Sequence, residues 1–148
     1  MDKLEALALK ATQLNEGQVF LKLMNNPEAQ AIIEELIITE QLSKGKRGDG
    51  TTLPNYSKRS VEVFGKPEGA IKLFDTGEFY KSIGVNQVTP DYFTTDADPI
   101  KIDDKGQTNL FDRYGESIKD LGKEGLAIFN QRVIDLLSDE IRKELGLN

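Results

Sequence analysis

Leu4, Leu7, Ala8, Ala11 and Leu14 recur at steps of three and four residues, as one helical face requires. Phe20, Leu21 and Met24 continue the apolar content after an offset at Gly17, so the pattern predicts a helix from Leu4 to Met24, bent at Gly17. Asn25-Asn26-Pro27-Glu28 then reads as a stop followed by a start. Asn26 is placed to cap, Pro27 suits the first helical position, and Glu28 suits the positive end of the helix dipole. A second helix is expected from Pro27 to Ser43, with Ile32, Ile33, Leu36 and Ile37 as its apolar stripe.

From Lys44 to Pro67 the regular pattern stops, because glycines, prolines and charges punctuate the chain too often for a core element. A long loop is expected, with a helical turn at Ser57 to Val63. Loops of this length inside a compact domain are usually functional or ordered by a partner. Alternation returns at Ile71-Lys72-Leu73, continues weakly from Phe79 to Val88 through Ile83 and Val85, and recurs at Ile100-Lys101-Ile102. Tyr92-Phe93-Thr94-Thr95 adds strand formers after a Thr89-Pro90-Asp91 turn, so a small antiparallel sheet is expected over residues 71–102. Asn109 to Gly115 reads as a short helix. Leu126, Phe129, Val133, Leu137, Ile141 and Leu145 then predict a long amphipathic final helix closing on Gly146.

The resulting order is a helical pair over 1–43, a long basic loop over 44–70, a small sheet over 71–102 and helices over 107–148. This argues for a single α+β domain spanning 1–148. A chain of 148 residues is long enough for a core without covalent staples.

Charge changes this picture more than composition does. The net charge is −6, but residues 44–72 carry seven bases against three acids, an island of +4 between acidic flanks. That island lacks the aromatic interleaving and broad basic face of a nucleic-acid reader. It reads either as a solvated loop or as a docking loop for an acidic neighbour, with Lys44, Lys46, Arg47, Lys58 and Arg59 as the candidate interface. The longest apolar runs are far too short to span a bilayer, and Met1-Asp2-Lys3 has no signal-peptide order, so a soluble cytoplasmic product is expected.

The chain contains no Cys, His or Trp. Disulfides, zinc sites of the Cys/His type and imidazole-driven nucleophiles are thereby excluded, and catalysis would have to run on carboxylates, Lys or Tyr. Leu73-Phe74-Asp75-Thr76-Gly77 carries the Asp-Thr-Gly signature of aspartic proteases, which work through two carboxylates sharing one proton. One such tripeptide per chain would require a dimer. The residue after it is usually small, whereas Glu78 and Phe79 follow here. The other reading is a turn in which Asp75 and Thr76 bond nearby backbone amides and Gly77 supplies positive φ. Gly45 to Gly50 lacks the spacing of a phosphate-cradling loop, and Arg47-Gly48-Asp49 reads as part of a Gly-rich loop rather than an adhesion tripeptide. Asp96, Asp98, Asp103 and Asp104 lack calcium-loop spacing. No metal and no cofactor are expected.

Gln41-Leu42, Gly45, Gly48-Asp49-Gly50, Leu53, Tyr56-Ser57, Ser60 and Lys66, followed by Leu73, Asp75-Thr76-Gly77, Phe79-Tyr80 and Ser82, form a broader arrangement. Leu110-Phe111-Asp112-Arg113-Tyr114-Gly115 and Ile118 to Leu121 extend it toward the final helix. This arrangement resembles the head-completion and tail-completion proteins of tailed bacteriophages, in the versions carried by phages of Bacteroides-type bacteria, over residues 41–137. The resemblance implies a structural virion protein of the neck or tail end, with no active site. It implies a homo-oligomeric ring, made in the host cytoplasm, that joins portal or other neck and tail proteins. DNA would at most pass through the lumen without sequence-specific binding.

Overall fold

The computed structural model describes residues 2–6 and 15–147. Helix α1 (Glu16–Met24) starts at Asn15, whose backbone is extended and whose side chain accepts a 3.2 Å bond from the Gln18 N–H. The expected Leu4–Met24 helix is therefore interrupted at Asn15 rather than bent at Gly17, because the Asn side chain takes an amide that a continuous helix would need. Residues 7–14 of that expected helix lie outside the described residues. Helix α2 (Pro27–Leu36) begins as the sequence predicts, with Pro27 in the first turn and Asn26 accepting from the Glu28 N–H at 2.8 Å.

The α2 axis continues to Lys44 in altered form, through a π-helical turn (Ile37–Gln41) and a 3₁₀ turn (Leu42–Lys44) that Gly45 ends at φ 71°. The π turn leaves Ile37, Gln41 and Leu42 all buried. Ala29, Ile33 and Leu36 of α2 with Ile37 of the π turn form the centre of the core, with Met24, Leu53, Ile118 and Phe129 among the side chains around it. Each Ile, Leu, Met or Phe among them contributes about 1.5–3 kcal/mol on full burial.

The 44–70 segment is more ordered than a plain loop. Its first part folds back on itself through a Lys46–Thr52 bridge and buries Leu53, and its last part is tied by an Asn55–Ala70 bridge. Between them lies α3 (Lys58–Phe64), capped by the Ser57 hydroxyl and ended by Gly65 at φ 67°, with no buried residue.

The expected sheet over 71–102 is instead two separate antiparallel hairpins, shifted toward the C-terminus. Strands β1 (Gly84–Val88) and β2 (Phe93–Asp96) form one, with an irregularity between Val85 and Gln87; β3 (Ile100–Asp103) and β4 (Gly106–Asn109) form the other. Ile71 to Leu73 is no strand because its backbone groups are engaged elsewhere. The Ile71 N–H donates to Pro54 O, the Tyr80 hydroxyl donates to Lys72 O, and Leu73 adopts φ 57°. Residues 78–82 form a short helix, α4 (Glu78–Ser82), where the weak alternation suggested strand.

Helix α5 (Leu110–Tyr114) is capped by Asn109 and ends at Gly115, matching the sequence reading. After a 3₁₀ turn (Glu116–Lys119), the expected long final helix divides at Val133 into α6 (Lys123–Arg132) and α7 (Ile134–Glu144). The apolar stripe survives the break, but the turn redirects the chain so that α6 packs on α2 while α7 packs on α1. Gly146 at φ 74° and Leu147 close α7 by donating to Lys143 O and Arg142 O, the glycine-terminated helix end predicted from sequence. Helices and antiparallel hairpins together place the chain in the α+β class.

Candidate functional site

Asp75 lies between two arms of the molecule. One carboxylate oxygen is 3.0 Å from Lys101 Nζ on β3, and the other is 3.6 Å from Lys66 Nζ beyond α3. The Lys101 hydrogen bond, then its charge and that of Lys66, hold the Asp75 carboxyl below its ordinary range. Gly77, at φ 85°, permits the turn into α4, and the Thr76 hydroxyl accepts from the Glu78 N–H at 3.4 Å. The Asp-Thr-Gly tripeptide thus makes a turn in which Thr76 bonds the backbone and Asp75 reaches lysines.

This turn borders a cavity of about 150 Å³ between the 66–79 segment and the β3–β4 hairpin, lined by Tyr56, Ile71, Phe74, Lys101, Leu110 and Tyr114 among others. Two tyrosines hold the 71–73 backbone beside it. The Tyr80 hydroxyl donates to Lys72 O at 2.5 Å, the Lys72 N–H faces the Tyr56 hydroxyl at 3.4 Å, and burial pushes the Tyr80 phenol up to about 12. The Phe74 ring leans on Tyr80 with centroids 5.3 Å apart. Asp75, Lys66 and Lys101 supply charge to the cavity wall, and Tyr56 and Tyr114 line it as well.

A second cluster joins distant parts of the chain. The Gln41 side-chain N–H donates to Asp120 O at 2.7 Å, and its Oε1 accepts from the Gly122 N–H at 2.6 Å. Beside it the Gly48 N–H donates to Ser117 O at 2.8 Å. A Cβ on Gly48 would lie 2.5 Å from Asp120 O, and one on Gly122 would lie 2.6 Å from Gly48 O. Backbones approach here as closely as glycine allows.

The five basic candidates separate into two groups. Arg47 is turned inward, donating from Nε to Tyr114 O at 2.6 Å and from Nη1 to Thr51 Oγ1 and Thr52 O. Lys44 pairs with Glu40 at 2.8 Å. Lys46, Lys58 and Arg59 are exposed and have no ion-pair partner among the described residues. Asp49 is likewise used locally: the Thr51 hydroxyl and amide hold its carboxyl below the ordinary range. Asp96, Asp98 and Asp103 each accept from a nearby backbone N–H, and no group of metal ligands occurs among the described residues. No described helix is long and apolar enough to cross a membrane.

Sequence reasoning did not assign roles to Lys66, Lys101, Tyr80 or Gly122. Gln41 carried a readable signal, since it falls on the stripe Ile33, Ile37, Gln41 at steps of four, where a polar residue implies buried partners. The lysine contacts carried none, because they depend on how the two arms fold together. No protein-family model, curated protein or solved structure matches the chain.

Proposed function

We propose that this chain is a non-enzymatic structural subunit of the neck or tail end of a tailed phage, working in the virion as a homo-oligomeric ring between the portal or head and the tail. The observation that carries the reading is what the residues behind the sequence resemblance do in the fold. Gln41, Gly48, Tyr80 and Asp75 are used as internal struts, joining Gln41 to Asp120 and Gly122, Gly48 to Ser117, Tyr80 to Lys72 and Asp75 to Lys66 and Lys101. A part that must hold its shape under load has use for such struts.

The lysine pairing of Asp75 counts against the dimeric protease. A catalytic dyad needs two carboxylates close enough to share a proton, which raises one of their pKa values. In the folded chain the Asp75 carboxylate is engaged by Lys101 and Lys66, which occupy the oxygens a second carboxylate would have to approach. The three exposed, unpartnered bases Lys46, Lys58 and Arg59 favour a charged contact with a neighbour in a chain that is otherwise acidic.

Native mass measurement with particle imaging, on wild type and Asp75→Asn, tests the reading. Rings or ring-forming multimers of unchanged mass in the variant are expected. A tight dimer that cleaves peptides, is inhibited by pepstatin and loses cleavage in Asp75→Asn would overturn it.

A further inference from the structure

The cavity beside Asp75 carries both apolar and charged lining. Ile71, Leu73, Phe79 and Leu110 supply the apolar part, and Phe79 and Leu110 are themselves buried. Its volume of about 150 Å³ is the size that holds a single benzene-like ring or a branched aliphatic chain. Leu73 reaches that lining at a cost. At φ 57° it is the one non-glycine residue in the left-handed region among the described residues, where an L side chain costs about 1–2 kcal/mol. Backbone strain of this kind clusters where a fold shapes a binding surface.

Six charged side chains line the same space, and their signs balance: Lys66, Lys101 and Arg113 against Asp75, Glu78 and Asp103. Most of them are occupied. Asp75 takes both lysines, and Asp103 accepts from the Lys105 N–H at 2.8 Å. Two remain. Arg113, whose guanidinium carbon stands 5.5 Å from the centre of the Tyr114 ring, has no carboxylate partner among the described residues, and the Glu78 carboxylate has no cationic one. One cation and one anion, not paired with each other, are thus left on the lining of a small apolar space. A simple anion would meet Glu78 as well as Arg113, and a simple cation would meet the reverse. A ligand that carries both charges avoids either penalty.

We infer that this cavity binds a free α-amino acid with an apolar side chain, of the leucine or phenylalanine kind. Its side chain lies among Ile71, Leu73, Phe79 and Leu110, its carboxylate on the Arg113 guanidinium and its ammonium on Glu78. The guanidinium fork suits a carboxylate bidentately, and the two lysine pairs of Asp75 stay intact. The inference goes beyond the ring reading and does not depend on it, since a monomer and a ring subunit carry the same lining.

NMR titration of the full chain tests this with L-phenylalanine and L-leucine, beside 3-phenylpropionate, which lacks the ammonium, and phenethylamine, which lacks the carboxylate. L-phenylalanine should bind about tenfold or more tightly than either truncated probe, and the Ile71 and Leu110 methyl signals should move as it binds. Arg113→Gln should weaken L-phenylalanine about tenfold without weakening phenethylamine. Glu78→Gln should weaken it by the same factor without weakening 3-phenylpropionate. Both residues are exposed, and circular dichroism verifies that the variants are folded. Absence of binding by both amino acids up to about 10 mM overturns the inference. So does binding that leaves the two methyl signals in place, equal affinity for a truncated probe, or indifference to both substitutions. Rings formed by a chain that binds no amino acid would leave the ring reading standing, and amino-acid binding by a chain that forms no ring would leave this site standing.

Discussion

Gln41 and Gly122, 81 positions apart, are joined by a 2.6 Å hydrogen bond from the glycine N–H to the Gln41 side-chain oxygen. The same side chain donates to Asp120 O, and Gln41 is only 5% exposed. Gln41→Leu keeps much of the volume but leaves a buried N–H and a buried C=O without partners, so it should cost about 2 kcal/mol or more. Urea unfolding monitored by circular dichroism measures this directly. A stability equal to wild type would contradict the role given to the side chain.

Gly48 and Gly50 separate two reasons for glycine within one loop. Gly48→Ala would press a methyl against Asp120 O at 2.5 Å and should cost about 3 kcal/mol through overpacking. Gly50→Ala meets nothing within 4 Å but must hold φ 88°, which should cost about 1 kcal/mol. Denaturation midpoints of the two variants should fall in that order.

Much of the helical part was legible because its cues are local. Asn26, Pro27, Asn109 and Gly146 mark ends by chemistry that acts within a few residues, and the structure places ends at those positions. The sheet was less legible. Ile71-Lys72-Leu73 alternates as a strand would, but Tyr56 and Tyr80 hydroxyls lie against its backbone, and no local pattern encodes a partner 8 or 16 residues away. The break at Val133 was equally hidden, since the stripe Phe129, Val133, Leu137 runs through it unchanged. The turn at Asp75-Thr76-Gly77 was readable, whereas the destination of the Asp75 carboxylate depended on the fold of both arms.

Asp75→Asn should reduce stability at neutral pH by less than about 1 kcal/mol, because the pairs it breaks are partly exposed. The sign with pH follows from the lowered carboxyl. Its contribution is present above the ordinary value of 3.8 and is lost as pH falls from there through the depressed folded value. Acid unfolding curves of wild type and variant should therefore converge at low pH. Parallel curves would show that the lysine pairs contribute nothing.

Tyr80→Phe should cost about 1 kcal/mol near neutrality by removing the bond to Lys72 O. In wild type the phenol is raised from 10.0 to about 12, so its contribution is complete below pH 10 and is lost as pH rises through 12. The variant should lack that alkaline decline. Thermal unfolding across this range, with phenolate absorbance recorded alongside, follows both events.

The Gln41–Gly122 junction also sets a timetable for synthesis. At roughly 5–20 residues per second, the ribosome needs on the order of 4–16 s to deliver Gly122 after Gln41. During that interval the Gln41 amide remains hydrated and Gly48 lacks the Ser117 carbonyl that anchors it. The Lys46–Thr52 and Asn55–Ala70 bridges of the basic segment lie wholly within chain already made by then, whereas its tie to the 116–122 turn waits for the later chain. A chain released before residue 122 carries the sequence of that segment without the junction that closes it.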